Sequence, residues 1–499
     1  MNGKLGRASI LTSAVLLFTL IATANSGGYR FGVSDQAFYE PAVLVQIDPA
    51  LFPRDRPLLA AQTRLMASDE ILGGLARVLH CDLPRLFFAT YLATLALLCL
   101  GAIAFARGLG FPLWTTAAFL FALTLRHRIP KTGANSLEGY THPRQLAFAF
   151  GVIALAALVR RRTLWTLMAL VATTALHPTT GVWFALLSAP ALLSAPRSRT
   201  LVLSVAAVLT VVAVLALTVG PLASRVRIMD QAWLNVLADK DYLFPTGWPA
   251  YAWVLNLAYL PLAWVIHRQR AAAGVASETE AGLLLGLTAL FAVFLISVPL
   301  TAWHVALAVQ LQVTRVFWLM DFVVIAYAAW WLSSARLLQR AMGAARMPIV
   351  AAAVFGVAAV GRGLYVTEGD APRPLVQVEL PATPWIDAMT WLRHQPATWH
   401  ILASPDHAWT HGISVRVAAE RDTVLESIKD SALAMYDRDI AMRVAERAVA
   451  LQGFDTFSTS DVRRLDARYD LDAVIVDLGR SLDLPVLYRN AQFVIYDLR

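Results

Sequence analysis

The chain has 499 residues, of which 58% are hydrophobic and only 15% charged, and its mean hydropathy is +0.57. That balance excludes an ordinary soluble globular protein and identifies an integral membrane protein. The net charge of +8 does not point to nucleic acid, because there is no soluble basic domain and basic residues in such a chain act as topological signals or meet lipid phosphates.

Lys4 and Arg7 precede a first apolar run at 8–24, long enough, at about 17 residues, to reach the lower limit for a span. Ala22-Thr23-Ala24 imitates a signal-peptidase site; retained or cleaved, the segment sends the next stretch of chain to the outer face. The loop at 31–56 then holds four acids, Asp35, Glu40, Asp48 and Asp55, among aromatics and prolines. An acid-bearing loop directly after a first membrane helix is where chemistry at a membrane surface is expected. Asp35 precedes Ala37-Phe38-Tyr39-Glu40-Pro41, the expected start of a short surface helix, so it reads either as a general base or as a helix cap.

Cys81 and Cys99 lie roughly 27 Å apart if their stretch is one helix. That is too far for a disulfide, and nothing marks them as a metal or redox site. Further apolar runs fall at 87–106, 113–125, 146–159, 164–176, 182–195, 201–219, 251–266, 281–298, 316–332 and 348–360. With the first they make about eleven spans. Alternate connections carry Arg107, then Arg160, Arg161 and Arg162, then Arg197 and Arg199, then Arg268 and Arg270, then Arg336, Arg340 and Arg346. Basic turns mark the cytoplasmic side, and an odd number of spans places the C-terminal region outside, with the Asp35 loop.

The outer loop at 126–145 is basic against that rule. Arg126, Arg128, Lys131 and Arg144 either face water and headgroups or form a phosphate cradle, since guanidinium forks match phosphate oxygens. Glu138, beside His142, is a candidate second carboxylate for an acid/base or metal-binding pair. His177, at the end of the fifth span, either caps its helix or donates to a lipid phosphate. Residues 221–250 mix charge with aromatics, the pattern of an interfacial segment or of packed aromatics. Arg315, at the rim of the tenth span, is a further phosphate candidate; Asp321 lies off its helix face and should point into the bundle.

From 371 onward the chain is richly charged and has no run long enough to span. A helix at 385–392, a strand at 400–403, a helix at 434–451, a buried strand at 473–477 and an edge strand at 493–496 predict a small α/β domain. It shows no GxGxxG, Walker loop, HExxH or GxSxG. Asp406 and His407 either face the membrane site or are ordinary loop polarity. The expected architecture is an α-helical polytopic membrane protein, with a multi-span domain at 1–370, a first outer loop at 25–86 and an extracytoplasmic α/β domain at 371–499.

An acid just after the first span (Asp35 in SDQAFYEPAV), an acid in the second outer loop (Glu138), many short spans and an outer C-terminal domain resemble the GT-C type of polytopic membrane glycosyltransferases, bacterial members in particular. The family's usual paired acids are here Asp35-Gln36, and the second loop has no Asp-x-Asp. The resemblance implies transfer of a sugar from a polyprenyl-phosphate carrier to an acceptor at the outer face of a bacterial plasma membrane, with membrane lipid as partner. It implies Asp35 and Glu138 as catalytic acids, and Arg126, Arg128, Lys131, Arg144, His177 and Arg315 as phosphate-binding residues. No cofactor is certain, and a divalent cation is left open. The alternative is a transporter or flippase of a lipid-linked or anionic substrate, or a non-catalytic scaffold; charges gathered at one face and the lack of an internal repeat count against transport.

Overall fold

The computed structural model describes residues 2–64, 66–194, 196–220, 222–334, 343, 345–370 and 373–499. Arg336, Arg340 and the expected domain boundary at Ala371 lie outside them, as do the side chains of Lys4, Arg7 and Arg197. Within them the protein is a helical membrane protein with a small C-terminal sheet domain. Seven helices are long and apolar enough to cross a membrane, at Ala8–Asn25, Leu83–Gly108, Arg199–Thr218, Ala250–Ala272, Glu278–Ala302, Ala306–Ser334 and Met347–Gly369. The remaining apolar runs form shorter helices, Leu113–Thr124, Pro143–Val159, Thr163–Leu176 and Pro178–Ser194. Apolar runs become helices because lipid offers backbone groups no partner outside their own segment.

Small residues let these helices meet backbone to backbone, which matters where lipid supplies no hydrophobic drive between them. Gly151 on Pro143–Val159 sits under the Phe184 ring, where a Cβ would come within 2.3 Å. Gly286 on Glu278–Ala302 faces the Leu187 carbonyl, where a Cβ would come within 1.9 Å. Arg270, expected as a topological charge, is instead buried and forks onto Glu280 at 2.6 and 3.0 Å. Cys81 and Cys99 are free.

The C-terminal sheet has the strand order Asp422–Thr423, His400–Leu402, Ala473–Asp477, Phe493–Asp497, Val486–Arg489. The first three strands are parallel and the last two run antiparallel. The strand expected at the edge, 493–496, is therefore internal: its residues are buried in an unbroken apolar run, the mark of a strand covered on both faces. The expected helix at 434–451 is broken. A 3-10 turn, Ala434–Tyr436, ends at Asp437, whose extended backbone and carboxylate, accepting the Asp439 N–H at 2.8 Å, start a new helix, Arg438–Ala450.

The first loop and the C-terminal domain share one end of the bundle. Tyr29–Arg30 pairs in parallel with Val376–Gln377, and Asp55 bonds Arg416 at 2.7 Å. The helix after Asp35, Gln36–Ile47, is not on the surface: residues 36–44 are all buried. Of the two readings of the stretch at 221–250, Trp233 takes the packed one, its indole N–H donating to the Ala434 carbonyl at 2.8 Å.

Candidate functional site

Gly32 and Ser34 adopt positive φ, 81° and 56°, and so turn the chain sharply out of the Tyr29–Arg30 strand. Gln36 holds the turn, its side-chain carbonyl accepting the Gly32 N–H at 2.6 Å and its amide donating to the Thr141 carbonyl at 3.2 Å. This tie joins the first loop to the loop at 126–145 and sets Asp35 at the N-terminus of Gln36–Ile47. The carboxylate makes no capping bond there, because the Asp35 backbone is already helical at φ −73°, ψ −6°. Of the two readings of Asp35, the cap fails.

One Asp35 oxygen instead accepts from Lys429 Nζ at 2.8 Å, and the other lies 3.4 Å from His142 Nε2. His142 Nδ1 accepts the Arg144 N–H at 3.1 Å, which leaves the ring proton on Nε2, aimed at Asp35. Burial, reinforced by the Arg144 charge, pushes the imidazole down to about 4, so it is neutral at physiological pH. Burial alone would raise Asp35, but the Lys429 charge and the His142 hydrogen bond outweigh it and hold the carboxylate well below its usual range.

Asp35 faces a cavity of about 230 Å³ that is also lined by Tyr39, His142, Arg144, Tyr242, Gln312, Arg315, Lys429 and Tyr436. Arg144 donates to Glu138 at 3.3 Å and to the Gly133 carbonyl at 3.4 Å, and lies 5.6 Å over the Trp318 ring. Arg315 differs: its Nε is buried without a hydrogen-bond partner, and no carboxylate pairs with it among the described residues. Tyr39 accepts from Gln62 at 2.8 Å and Tyr436 from Gln312 at 3.0 Å. Both phenols therefore keep their own O–H to donate. The cavity thus combines an ionised carboxylate with the buried Arg144, the half-buried Arg315 and hydroxyl donors suited to an anion.

The other expected site residues lie elsewhere. Glu138 is enclosed by Arg126 at 3.4 Å, Arg144 at 3.3 Å and Asn135 at 3.2 Å, and lines a neighbouring pocket. It holds the two arginines and is not brought into the cavity with Asp35. Arg126, Arg128 and Lys131 line a second, larger basin with Arg362, and Lys131 pairs with Asp241. His177 bonds locally, its Nδ1 accepting the Thr180 N–H at 3.3 Å and the Thr180 hydroxyl at 2.9 Å. Asp321 takes His127 at 3.2 Å and the Tyr259 hydroxyl at 3.1 Å, not Arg315.

Asp406 accepts the Ser427 hydroxyl. His407 is buried against the Ser404 carbonyl at 2.7 Å and the Val415 N–H at 3.2 Å. Neither reaches Asp35. A divalent cation does not fit the donor set as it stands, since Lys429 and His142 take the two Asp35 oxygens. Among the described residues no group of three or more His, Cys, Asp and Glu is placed to hold a metal ion.

Sequence reasoning did not find Lys429, Tyr39, Tyr242, Gln312 or Tyr436. His142 carried a signal, since a polar residue before Pro143 and an apolar run marks a helix start. Lys429 carried none: it reaches Asp35 from 394 positions along the chain.

No protein-family model and no curated protein matches this sequence. Among solved structures the chain is similar to the archaeal oligosaccharyltransferase AglB from Archaeoglobus fulgidus in complex with an inhibitory peptide and a dolichol-phosphate. The identity is 11%, over 94% of this chain and 70% of that one, with a TM-score of 0.49. It is also similar to the oligosaccharyltransferase of the same organism tethered with an acceptor peptide, at 12% identity over 94% and 69% of the two chains and a TM-score of 0.46. A third, the oligosaccharyltransferase in complex with Zn and sulfate, is 12% identical over 93% and 68%, with a TM-score of 0.47.

Proposed function

We propose that the protein is a GT-C-type membrane glycosyltransferase, moving a sugar from a polyprenyl-phosphate carrier to a hydroxyl acceptor at the outer face of a bacterial plasma membrane, where the C-terminal domain also lies. The observation that carries this reading is Arg315, a half-buried guanidinium whose Nε is buried and unpartnered, facing the same cavity as the ionised Asp35. In the transfer the bond from the anomeric carbon to the phosphate oxygen breaks as the acceptor oxygen bonds to that carbon. The acceptor proton passes to Asp35, and Arg315, Arg144 and the phenols of Tyr39 and Tyr436 receive the departing phosphate.

Asp35 with a depressed pKa is ionised at rest and orients the acceptor hydroxyl; it takes the proton only as positive charge develops at the sugar. His142 fixes the carboxylate rotamer through a neutral N–H, and Lys429 holds the other oxygen. An apolar cleft of about 450 Å³ between Ala8–Asn25 and Leu83–Gly108 supports a lipid-borne donor. The cations and carboxylate that line the Asp35 cavity, with the apolar cleft beside the first helix, support transfer over transport.

The test is Asp35→Asn. Because Asp35 makes no capping bond, the change removes charge and proton acceptance without removing a cap. Expression and melting temperature should stay near wild type, while turnover from a polyprenyl-phosphate sugar in proteoliposomes falls by about 10²–10⁴-fold. Retained turnover in that variant would remove Asp35 from the chemistry.

A further inference from the structure

The basin lined by Arg126, Arg128, Lys131 and Arg362 is about 1090 Å³, much larger than the Asp35 cavity of about 230 Å³. The transfer mechanism at Asp35 does not use it. Its charges are poorly matched within the protein. Arg126 shares Glu138, at 3.4 Å, with Arg144, and Lys131 pairs with Asp241. Among the described residues Arg362 donates to the neutral Asn25 backbone and side-chain oxygens, at 2.7 and 2.8 Å, and to no carboxylate. Arg128, on the exposed side of the strand Arg128–Ile129, has no carboxylate partner among the described residues. Asp241 is the one acid among the residues lining this basin.

Two further features give the basin a direction and a ligand class. Gly133 and Tyr242 line both the basin and the Asp35 cavity, and Ser34, next to Asp35, lines the basin too, so the two volumes adjoin at Gly133 and Tyr242. Tyr251 and Trp409 stand on the rim, 56% and 78% exposed, offering faces on which sugar rings stack beside the cations. Resting on the transferase function proposed for the Asp35 cavity, we propose that this basin is the acceptor subsite and that the acceptor carries a phosphate-class anion, seated on Arg128 and Arg362 while its hydroxyl reaches Asp35. Arg315 and Arg144 serve the donor phosphate, and the basin serves a second, separate one. Guanidinium groups without carboxylate partners favour phosphate oxygens in this role.

The test uses the full-length protein in phosphatidylcholine nanodiscs, titrated calorimetrically with inorganic pyrophosphate. Two separable sites are expected. Arg128→Glu and Arg362→Gln should each weaken one at least tenfold and leave the other, while Arg315→Gln should do the reverse. A wild-type titration that shows the Arg128 site but none answering to Arg315→Gln would count against the transferase function alone. If the Arg128 and Arg362 variants leave the titration unchanged, or if one site answers to all three changes, the separate subsite is overturned.

Arg128 is exposed and makes no hydrogen bond to a carboxylate among the described residues, so Arg128→Glu keeps the test open even where Arg362→Gln misfolds. Repeating the titration in phosphatidylglycerol nanodiscs separates the two sources of phosphate. Unchanged pyrophosphate binding supports an acceptor group, whereas occlusion of the Arg128 site by the anionic lipid overturns it in favour of a headgroup. In transfer assays, phosphatase treatment of the envelope glycan fraction used as acceptor should lower its acceptance at least tenfold. Arg128→Glu should raise KM for the untreated fraction and leave donor KM unchanged; equal acceptance with and without phosphatase overturns the assignment.

Discussion

Two charge clusters join the loop at 31–56 to the C-terminal domain, one buried at Asp55 and one half-buried at Asp35, and they are built on opposite terms. At Asp55 the charges are matched. Arg416 donates to Asp55 at 2.7 Å and forks onto Asp430 at 2.6 and 3.0 Å, and Arg443 adds a second cation to Asp55. Burial would raise Asp55, but Arg416 and Arg443 hold it ionised, well below the usual carboxylate range. Neighbouring Asp422 accepts the N–H groups of Arg54 and Asp55 at 3.0 Å each, and burial together with the Asp55 charge pushes it up to about 6.

At Asp35 the same two segments meet through Lys429, and Arg144 and Arg315 from the helical bundle add cations in excess, around a cavity in which the Arg315 Nε has no partner. The matched cluster docks the two segments; the unmatched one is the basis of the anion site proposed above. The two are coupled mechanically, because Ser427–Leu433 carries both Asp430, held by Arg416, and Lys429, which meets Asp35.

The largest expected effect is therefore at the matched cluster. Arg416→Ala leaves Asp55 and Asp430 buried without their fork and should cost about 3–5 kcal/mol of stability, measured by denaturant unfolding, with transfer falling as Lys429 loses its platform. An unchanged midpoint would show that the cluster is not what docks the domain. Arg315→Met should invert that outcome. Removing a cation without a counter-ion should leave the melting temperature equal or higher, while transfer drops by about 10²–10³-fold, as when an anion-stabilising donor is lost. A large loss of stability here would mean that Arg315 has a structural partner and the contrast between the clusters is false.

Lys429→Gln removes the charge that most depresses Asp35. The acid limb of the pH–rate profile should then move to higher pH; a limb that stays in place would assign it to another group. The smallest effect concerns His142, buried with a pKa near 4 against an ordinary 6.5. Between those values the unfolded chain binds a proton that the folded protein does not, so this group makes stability rise with pH through that window. His142→Asn keeps an acceptor for the Arg144 N–H and a donor for Asp35 but cannot titrate. Between pH 5.5 and 6.5 its stability should depend on pH less steeply than wild type, by about 1 kcal/mol. Parallel curves for the two proteins would place the titration elsewhere.

Hydropathy alone determined that this chain is a helical membrane protein with a small mixed domain after it, and each apolar run in the sequence falls on a helix. The reason is local: without water a backbone must bond within its own segment, so about twenty apolar residues have one stable form. The same local logic made Asp35, Arg144 and Arg315 legible as candidates, since ionisable groups beside membrane spans are costly unless used. What residue type could not decide was who meets whom. Asp35 and Glu138 look alike in sequence, yet Glu138 is enclosed by two arginines and an asparagine, while Asp35 meets a lysine from the C-terminal domain and a neutral imidazole. The basic residues at 126–144 read as one cradle, but Arg144 turns inward to the Asp35 cavity while Arg126, Arg128 and Lys131 line a separate basin. Those choices follow from the turn at Gly32 and Ser34 and from the docking of a distant domain through Arg416, and long-range contacts of that kind leave no periodicity in the chain that makes them.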